Sequence, residues 1–181
     1  NRLLSLAINF YGESTESEKK GKEKQSKTTK VDINNYKNIL KEIDLDNLIN
    51  KLYEKSIISV DCETSSLNPI DAELVGISFC CDTNEAYYIP IAHKNVKNLN
   101  KDLVLKKIKK ILEDSSIKKV GQNIKYDFMI FKKYGIEIEP IEDTMLLSYT
   151  LDAGNNRHNM DILSEIHLGH KTITYKEVVG S

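Results

Sequence analysis

Asp61 and Glu63 stand two residues apart in the run Ile57-Ile58-Ser59-Val60-Asp61-Cys62-Glu63. The β-branched residues and the short length, bounded by Ser56 and the turn-like Ser65-Ser66-Leu67-Asn68-Pro69, predict a strand, and a central one. Successive side chains on a strand leave opposite faces, so both acids share one face while Cys62 leaves the other with Ile58 and Val60. Two carboxylates crowded together repel and resist ionisation unless a cation neutralises them or water reaches them freely. An all-oxygen ligand set suits Mg²⁺ or Mn²⁺ rather than zinc. Taken alone, a bare Asp-x-Glu is better described by an edge strand with a solvated polar face.

A third acid, Asp127, closes Gly121-Gln122-Asn123-Ile124-Lys125-Tyr126-Asp127, where a strand gives way to a helix. Active-site loops are commonly built at such junctions, although an acid in a first helical turn also complements the macrodipole without doing chemistry. His93 and His158 have no ligand spacing to the acids and are read as structural. Cys62, Cys80 and Cys81 fit neither a disulfide framework nor a zinc spacing, and are read as reduced strand residues.

The elements that would hold these residues can be followed along the chain. Leu45, Leu48, Ile49 and Leu52 recur at helical spacing after Asp44, which predicts a helix over 44–55 with Asp44 as N-cap. Leu74 to Cys81 and Ala86 to Ile91 predict two strands joined through Asp82-Thr83-Asn84-Glu85, giving an antiparallel three-stranded start. Val104, Leu105, Ile108, Ile111 and Leu112 form an apolar helical stripe, with Lys101, Lys106, Lys107, Lys109 and Lys110 as its wet face. A strand follows at 117–120, then helices at 125–134, closed by Gly135, at 143–151, and at 160–168, closed by Gly169. Strands first and alternating units afterwards predict a mixed α/β sheet flanked by helices.

With 181 residues the chain is long enough for one core but not two. A net charge of -1 leaves no global basic field, so a polyanionic partner would be engaged locally. No apolar run approaches the roughly 20 residues that span a bilayer, so no membrane partner is expected. Residues 1–10 could end an upstream segment, and residues 11–30 have the Ser, Glu and Lys composition of a polar linker. An ordered domain is expected over 31–181.

Taken together, Asp61-Cys62-Glu63-Thr64 on a strand and Asn123-Ile124-Lys125-Tyr126-Asp127 at a helix start resemble the first two motifs of the DEDD 3′–5′ exonucleases. The resemblance is to the proofreading domain of family A DNA polymerases. It continues through Val75-Gly76-Ile77-Ser78-Phe79, Tyr88-Ile89-Pro90-Ile91-Ala92-His93, Asp143-Thr144-Met145-Leu146, Arg157-His158-Asn159-Met160-Asp161 and His170-Lys171-Thr172-Ile173-Thr174. It implies a ribonuclease H-like α/β fold, two divalent ions (Mg²⁺ or Mn²⁺), and hydrolysis of the 3′-terminal phosphodiester of a single-stranded DNA primer end. It implies further that Asp61 bridges both ions, that Glu63 serves the water-activating one, and that Asp127 serves the second. Leu67 matches an apolar wedge against the terminal base. Gln122, Asn123, Lys125 and Tyr126 match residues near the 3′ end, and Arg157 and Tyr175 match contacts to the unpaired strand upstream.

A polymerase domain in the same polypeptide is the implied partner. Heavy use of Lys, Asn and Ile, with Arg2 and Arg157 as the only arginines, suggests an AT-rich genome. With the resemblance, it implies a plastid (apicoplast) replication polymerase. The family's third motif, a Tyr followed four residues later by Asp, is absent from these 181 residues. The expectation is a domain whose C-terminal part is incomplete, and weak or no catalysis by this stretch alone. Two rivals are a free-standing exonuclease of the ribonuclease D type and a non-catalytic exonuclease fold serving as scaffold. Retention of three mutually repelling acids argues against the scaffold.

Overall fold

The computed structural model describes residues 33–154, 156–173 and 177. The predicted upstream segment, the linker, the first two residues of the expected domain and Tyr175 lie outside them. Six strands form one sheet: β1 (Tyr36–Asn38), β2 (Ile57–Thr64), β3 (Leu74–Cys80), β4 (Ala86–Pro90), β5 (Lys118–Gly121) and β6 (Ile141–Asp143). The helices are α1 (Glu42–Tyr53), α2 (Lys101–Leu112), α3 (Ile124–Lys133), α4 (Thr144–Asp152) and α5 (Met160–Leu168). The strand order is β1-β4-β3-β2-β5-β6. Strands β2, β3 and β4 pair antiparallel, as expected from the hairpin chemistry at Asp82–Glu85, while β2-β5, β5-β6 and β1-β4 are parallel.

Strand β2 is therefore interior, which removes the edge-strand reading of its acids. Its residues alternate as the period of two requires: Ile58, Val60 and Cys62 are buried, and Asp61 and Glu63 leave the other face. Across the inward face the rows Cys62–Ile77–Ile89 and Val60–Phe79–Tyr87 are in register. Leu45, Leu48 and Leu52 of α1, Val104, Ile108 and Ile111 of α2, and Ile124, Ile130 and Phe131 of α3 join them in one buried cluster. Full burial of each such side chain contributes roughly 1.5 to 3 kcal/mol.

Three sequence expectations need correction. Asp44 does not cap α1: the helix starts at Glu42 with Lys41 at the cap position, so Asp44 sits in the first turn beside Glu42, where both complement the dipole. The lysines of α2 are not merely a wet face. Lys107 bridges to Glu42 and Asp46 on α1, Lys101 reaches Glu73 and the Tyr134 hydroxyl, and Lys109 donates to the Gly135 carbonyl. Cys81 stands one residue past the end of β3, although all three cysteines are free thiols as expected. The short strands β1 and β6 were not foreseen, because three residues carry no readable period. Helices α4 and α5 contain no buried residue among those described, and Leu146, Leu147, Leu151, Met160 and Leu168 are exposed. Among the described residues no helix is long and apolar enough to cross a membrane.

Candidate active site

Strands β2 and β5 run together only as far as the pairs Ile58–Lys119 and Ser59–Val120, after which β5 ends at Gly121 while β2 continues to Thr64. A backbone N–H on the side that β5 has left needs another acceptor. For Cys62 that acceptor is the Asp127 carboxylate, whose Oδ1 takes the bond at 2.9 Å. One hydrogen bond thus closes the end of the ladder and holds an α3 acid against the strand that carries Asp61 and Glu63. The β2–β3 register shifts between Glu63 and Thr64, and a bulge there bends the strand immediately beyond the acid pair.

Helix α3 is launched by a tight reversal. Asn123, at its cap position, has φ 57 and ψ 41, a left-handed conformation that Asn tolerates better than most residues. Its N–H donates to Oδ1 of Asp143 at 3.0 Å, and the same oxygen accepts from the Met145 N–H at 2.9 Å. Asp143 therefore caps α4 and fixes the turn that places Asp127 one helical turn later. At Gly121 a Cβ would stand 3.0 Å from the Ile124 side chain, so the missing side chain lets the strand end approach the helix closely.

Asp61, Glu63, Asp127, Leu67, Gln122, Asn123 and Tyr126 line one cleft of about 810 Å³, together with Cys62, Thr64, Ser65 and Ser66. Leu67 is 96% exposed at this cleft. The Tyr126 hydroxyl is hydrogen-bonded to Thr64 Oγ1 and to the Ser66 carbonyl, which ties the Leu67 loop to α3. Lys125 is not among the cleft residues: it lines a separate, more apolar hollow with Phe128, Ile141 and Leu146. Arg157 is exposed between α4 and α5, one residue from His158, whose carbonyl accepts from Gln122 Nε2 at 2.7 Å. His158 is buried, pairs through Nδ1 with Ser148 Oγ at 2.8 Å and stacks on Tyr149. Its surroundings are those of a packing residue.

Burial, then the charges of Asp127 and Glu63, push the Asp61 carboxyl up to about 7. Asp127 is also raised, mainly by burial, despite the Cys62 bonds that oppose the shift. Burial and the same acids push the Cys62 thiol well above its usual range. Such a cluster holds its charge where a cation compensates it or water reaches it freely, and its oxygen-only donors fit a hard divalent ion. Among the described residues the carboxylates share a cleft without closing on one point, and no three potential ligands stand close enough to enclose an ion as placed.

Sequence reasoning missed Asp143, Thr64 and Tyr88. Tyr88 pairs in register with Ser78, which pairs with Asp61, so it belongs to the acid-bearing face. Burial, with Glu63 and Asp61 nearby, pushes its phenol up to about 12. The readable signal was a glycine in β3, Gly76, where strand propensity disfavours one.

The family model of a 3′–5′ exonuclease matches residues 36–181. DNA polymerase I of Rhizobium leguminosarum is 40% identical over 177 residues, covering 85% of this chain but only 17% of its own length. The Aedes aegypti Nibbler EXO domain superposes with a TM-score of 0.65 at 15% identity, covering 84% of this chain and 77% of that one. Brucella melitensis NrnC with bound Mg²⁺ superposes with a TM-score of 0.57 at 22% identity, covering 81% and 66%. At those identities the structural likenesses speak to fold alone, and they agree with the ribonuclease H-like architecture. The polymerase match and the family model reach further, and by them the chain belongs to the 3′–5′ exonuclease family of family A DNA polymerases.

Proposed function

We propose that this domain is the proofreading exonuclease of a DNA-directed DNA polymerase, removing mispaired 3′ nucleotides as 5′-monophosphates. The observation that carries the reading is the meeting of Asp61 and Glu63 from β2 with Asp127 from α3 in one cleft beside the exposed Leu67. Two divalent ions, Mg²⁺ or Mn²⁺, would supply an activated water and offset the charge of the scissile phosphate. Asp61 would be shared between them, with Glu63 on one side and Asp127 on the other. Leu67 offers an apolar surface to the terminal base. Gln122, Asn123 and Tyr126 border the path of the 3′ end, and Arg157 the strand further upstream. The 40% identity to a DNA polymerase I favours this reading over a free-standing exonuclease acting on RNA.

The polymerase module is the proposed partner within the same polypeptide, and a plastid such as the apicoplast is the proposed compartment. The Lys, Asn and Ile usage, with two arginines, supports the latter. Localisation in the source cell against a plastid DNA stain tests it, and a purely nuclear signal overturns it.

The catalytic reading is tested by Asp61→Ala with Glu63→Ala in a polypeptide extended towards the length of the relatives, on a mismatched primer with Mg²⁺. The double variant is expected to lose mismatch trimming. Trimming at the parental rate would show the assigned site to be wrong.

A further inference from the structure

On the acid-bearing face Glu63 pairs directly with Gly76 of β3, and Gly76 pairs with Pro90 of β4. The space above Gly76 is filled by a side chain from further along β4. A Cβ built on Gly76 would lie 1.9 Å from the Tyr88 hydroxyl and 2.3 Å from the ring carbon that bears it. The absence of a side chain at 76 therefore lets the Tyr88 phenol lie across β3 towards β2. Directly paired residues of antiparallel strands have Cβ atoms about 4.5 to 5.5 Å apart. The Tyr88 hydroxyl, 1.9 Å from the position of a Cβ on Gly76, thus stands roughly 3 to 7 Å from the Glu63 Cβ, a span the rest of a glutamate side chain can bridge with one hydrogen bond.

The phenol is held in this place from behind. Its hydroxyl is hydrogen-bonded to His93 Nε2 at 2.6 Å, and the two rings meet edge-on with centroids 5.6 Å apart. His93 is itself fixed, because Asn98 accepts from its N–H at 2.9 Å and donates to its carbonyl at 2.8 Å. When Nε2 carries the ring proton and donates to the phenol oxygen, the hydroxyl proton is free to turn towards Glu63. A hydrogen-bond donor behind a metal-binding carboxylate fixes which oxygen and which rotamer it presents.

We propose that Tyr88, braced by His93 and admitted by Gly76, is a positioning residue for Glu63 that holds its carboxylate ready for the divalent cation. This rests on the exonuclease reading of the acid cluster. The test is a Mn²⁺ titration of the domain extended C-terminally to take in the family's third motif, followed by the electron spin resonance of free Mn²⁺, for the parent, Tyr88→Phe, His93→Ala, and Asp61→Ala with Glu63→Ala. Removing the hydroxyl or its brace is expected to weaken Mn²⁺ binding about tenfold, with the metal-free Tyr88→Phe chain still unfolding in one cooperative transition. The double acid variant is expected to abolish binding. Binding by both Tyr88→Phe and His93→Ala within twofold of the parent, with binding lost in the acid variant, would overturn the role of Tyr88 and leave the exonuclease reading standing. A parent that binds no Mn²⁺, or an acid variant that binds like the parent, would sink both.

Discussion

One side chain of the cleft does two jobs. Asp127 is a candidate ligand and also the acceptor for a strand N–H that has lost its neighbour, so its removal should disturb β2 as well as chemistry. Asp143 carries no chemistry but holds both the Asn123 turn and the start of α4. Asp143→Ala should cost about 2 to 4 kcal/mol, from a lost cap and an orphaned amide, read by urea unfolding. Asp61 has the opposite pH signature from a salt-bridged acid. Its folded-state value, about 7, lies above its ordinary 3.8, so the protonated form stabilises the fold at low pH. That contribution is lost as pH rises from about 4 through about 7. Thermal melts of the metal-free protein should show stability falling across that window. Asp61→Asn should flatten the fall, and an unchanged slope would show that Asp61 is not the group responsible.

At the scale of elements, the long periodic segments and the β3–β4 hairpin were legible, and the other connections were not. Helix α2 was readable from its apolar stripe, and α5 ends at Gly169 as read, since a left-handed C-cap (φ 63) favours glycine. Strand β2 was readable because β-branched residues and alternation agree. The Asn123 reversal and the ties from Tyr126 to the Leu67 loop were invisible, because each depends on a partner 20 to 62 residues away in sequence, and the bulge after Glu63 depends on the register against Leu74 and Gly76. The α1–α2 contact separates packing from charge. Ile108→Ala should cost about 2 to 5 kcal/mol, whereas Lys107→Ala, which breaks bridges to Glu42 and Asp46 on a partly exposed surface, should cost much less, because solvent screens such pairs. Chemical denaturation of the two variants side by side checks the contrast, and equal losses would contradict it.

Over the whole molecule, a net charge of -1 means that strand binding must come from a few placed cations rather than a general field. Each phosphate contact to a single strand contributes a slope of about 0.7 in a plot of log affinity against log salt. Arg157→Ala should lower that slope by about 0.7 in titrations with an oligodeoxynucleotide, and an unchanged slope would remove Arg157 from the strand path. Lys125 faces a different hollow from the acids, so Lys125→Ala should affect the slope less than Arg157→Ala.

The sequence by itself determined the pattern of the acids and the types of the long elements. Two acids at a spacing of two on a strand, and a third at a helix start, are local patterns that strand and helix periods translate directly into directions. Only the tertiary structure decided which groups meet. It buried Lys119 completely while its neighbour Lys118 stayed exposed, with the Lys119 ammonium donating to the carbonyls of Asp114, Ile117 and Glu139. It parted β5 from β2 so that Asp127 could enter the gap, and it laid Tyr88 over Gly76 towards Glu63. Those outcomes depend on strand order and register, which bring together residues that no local period relates.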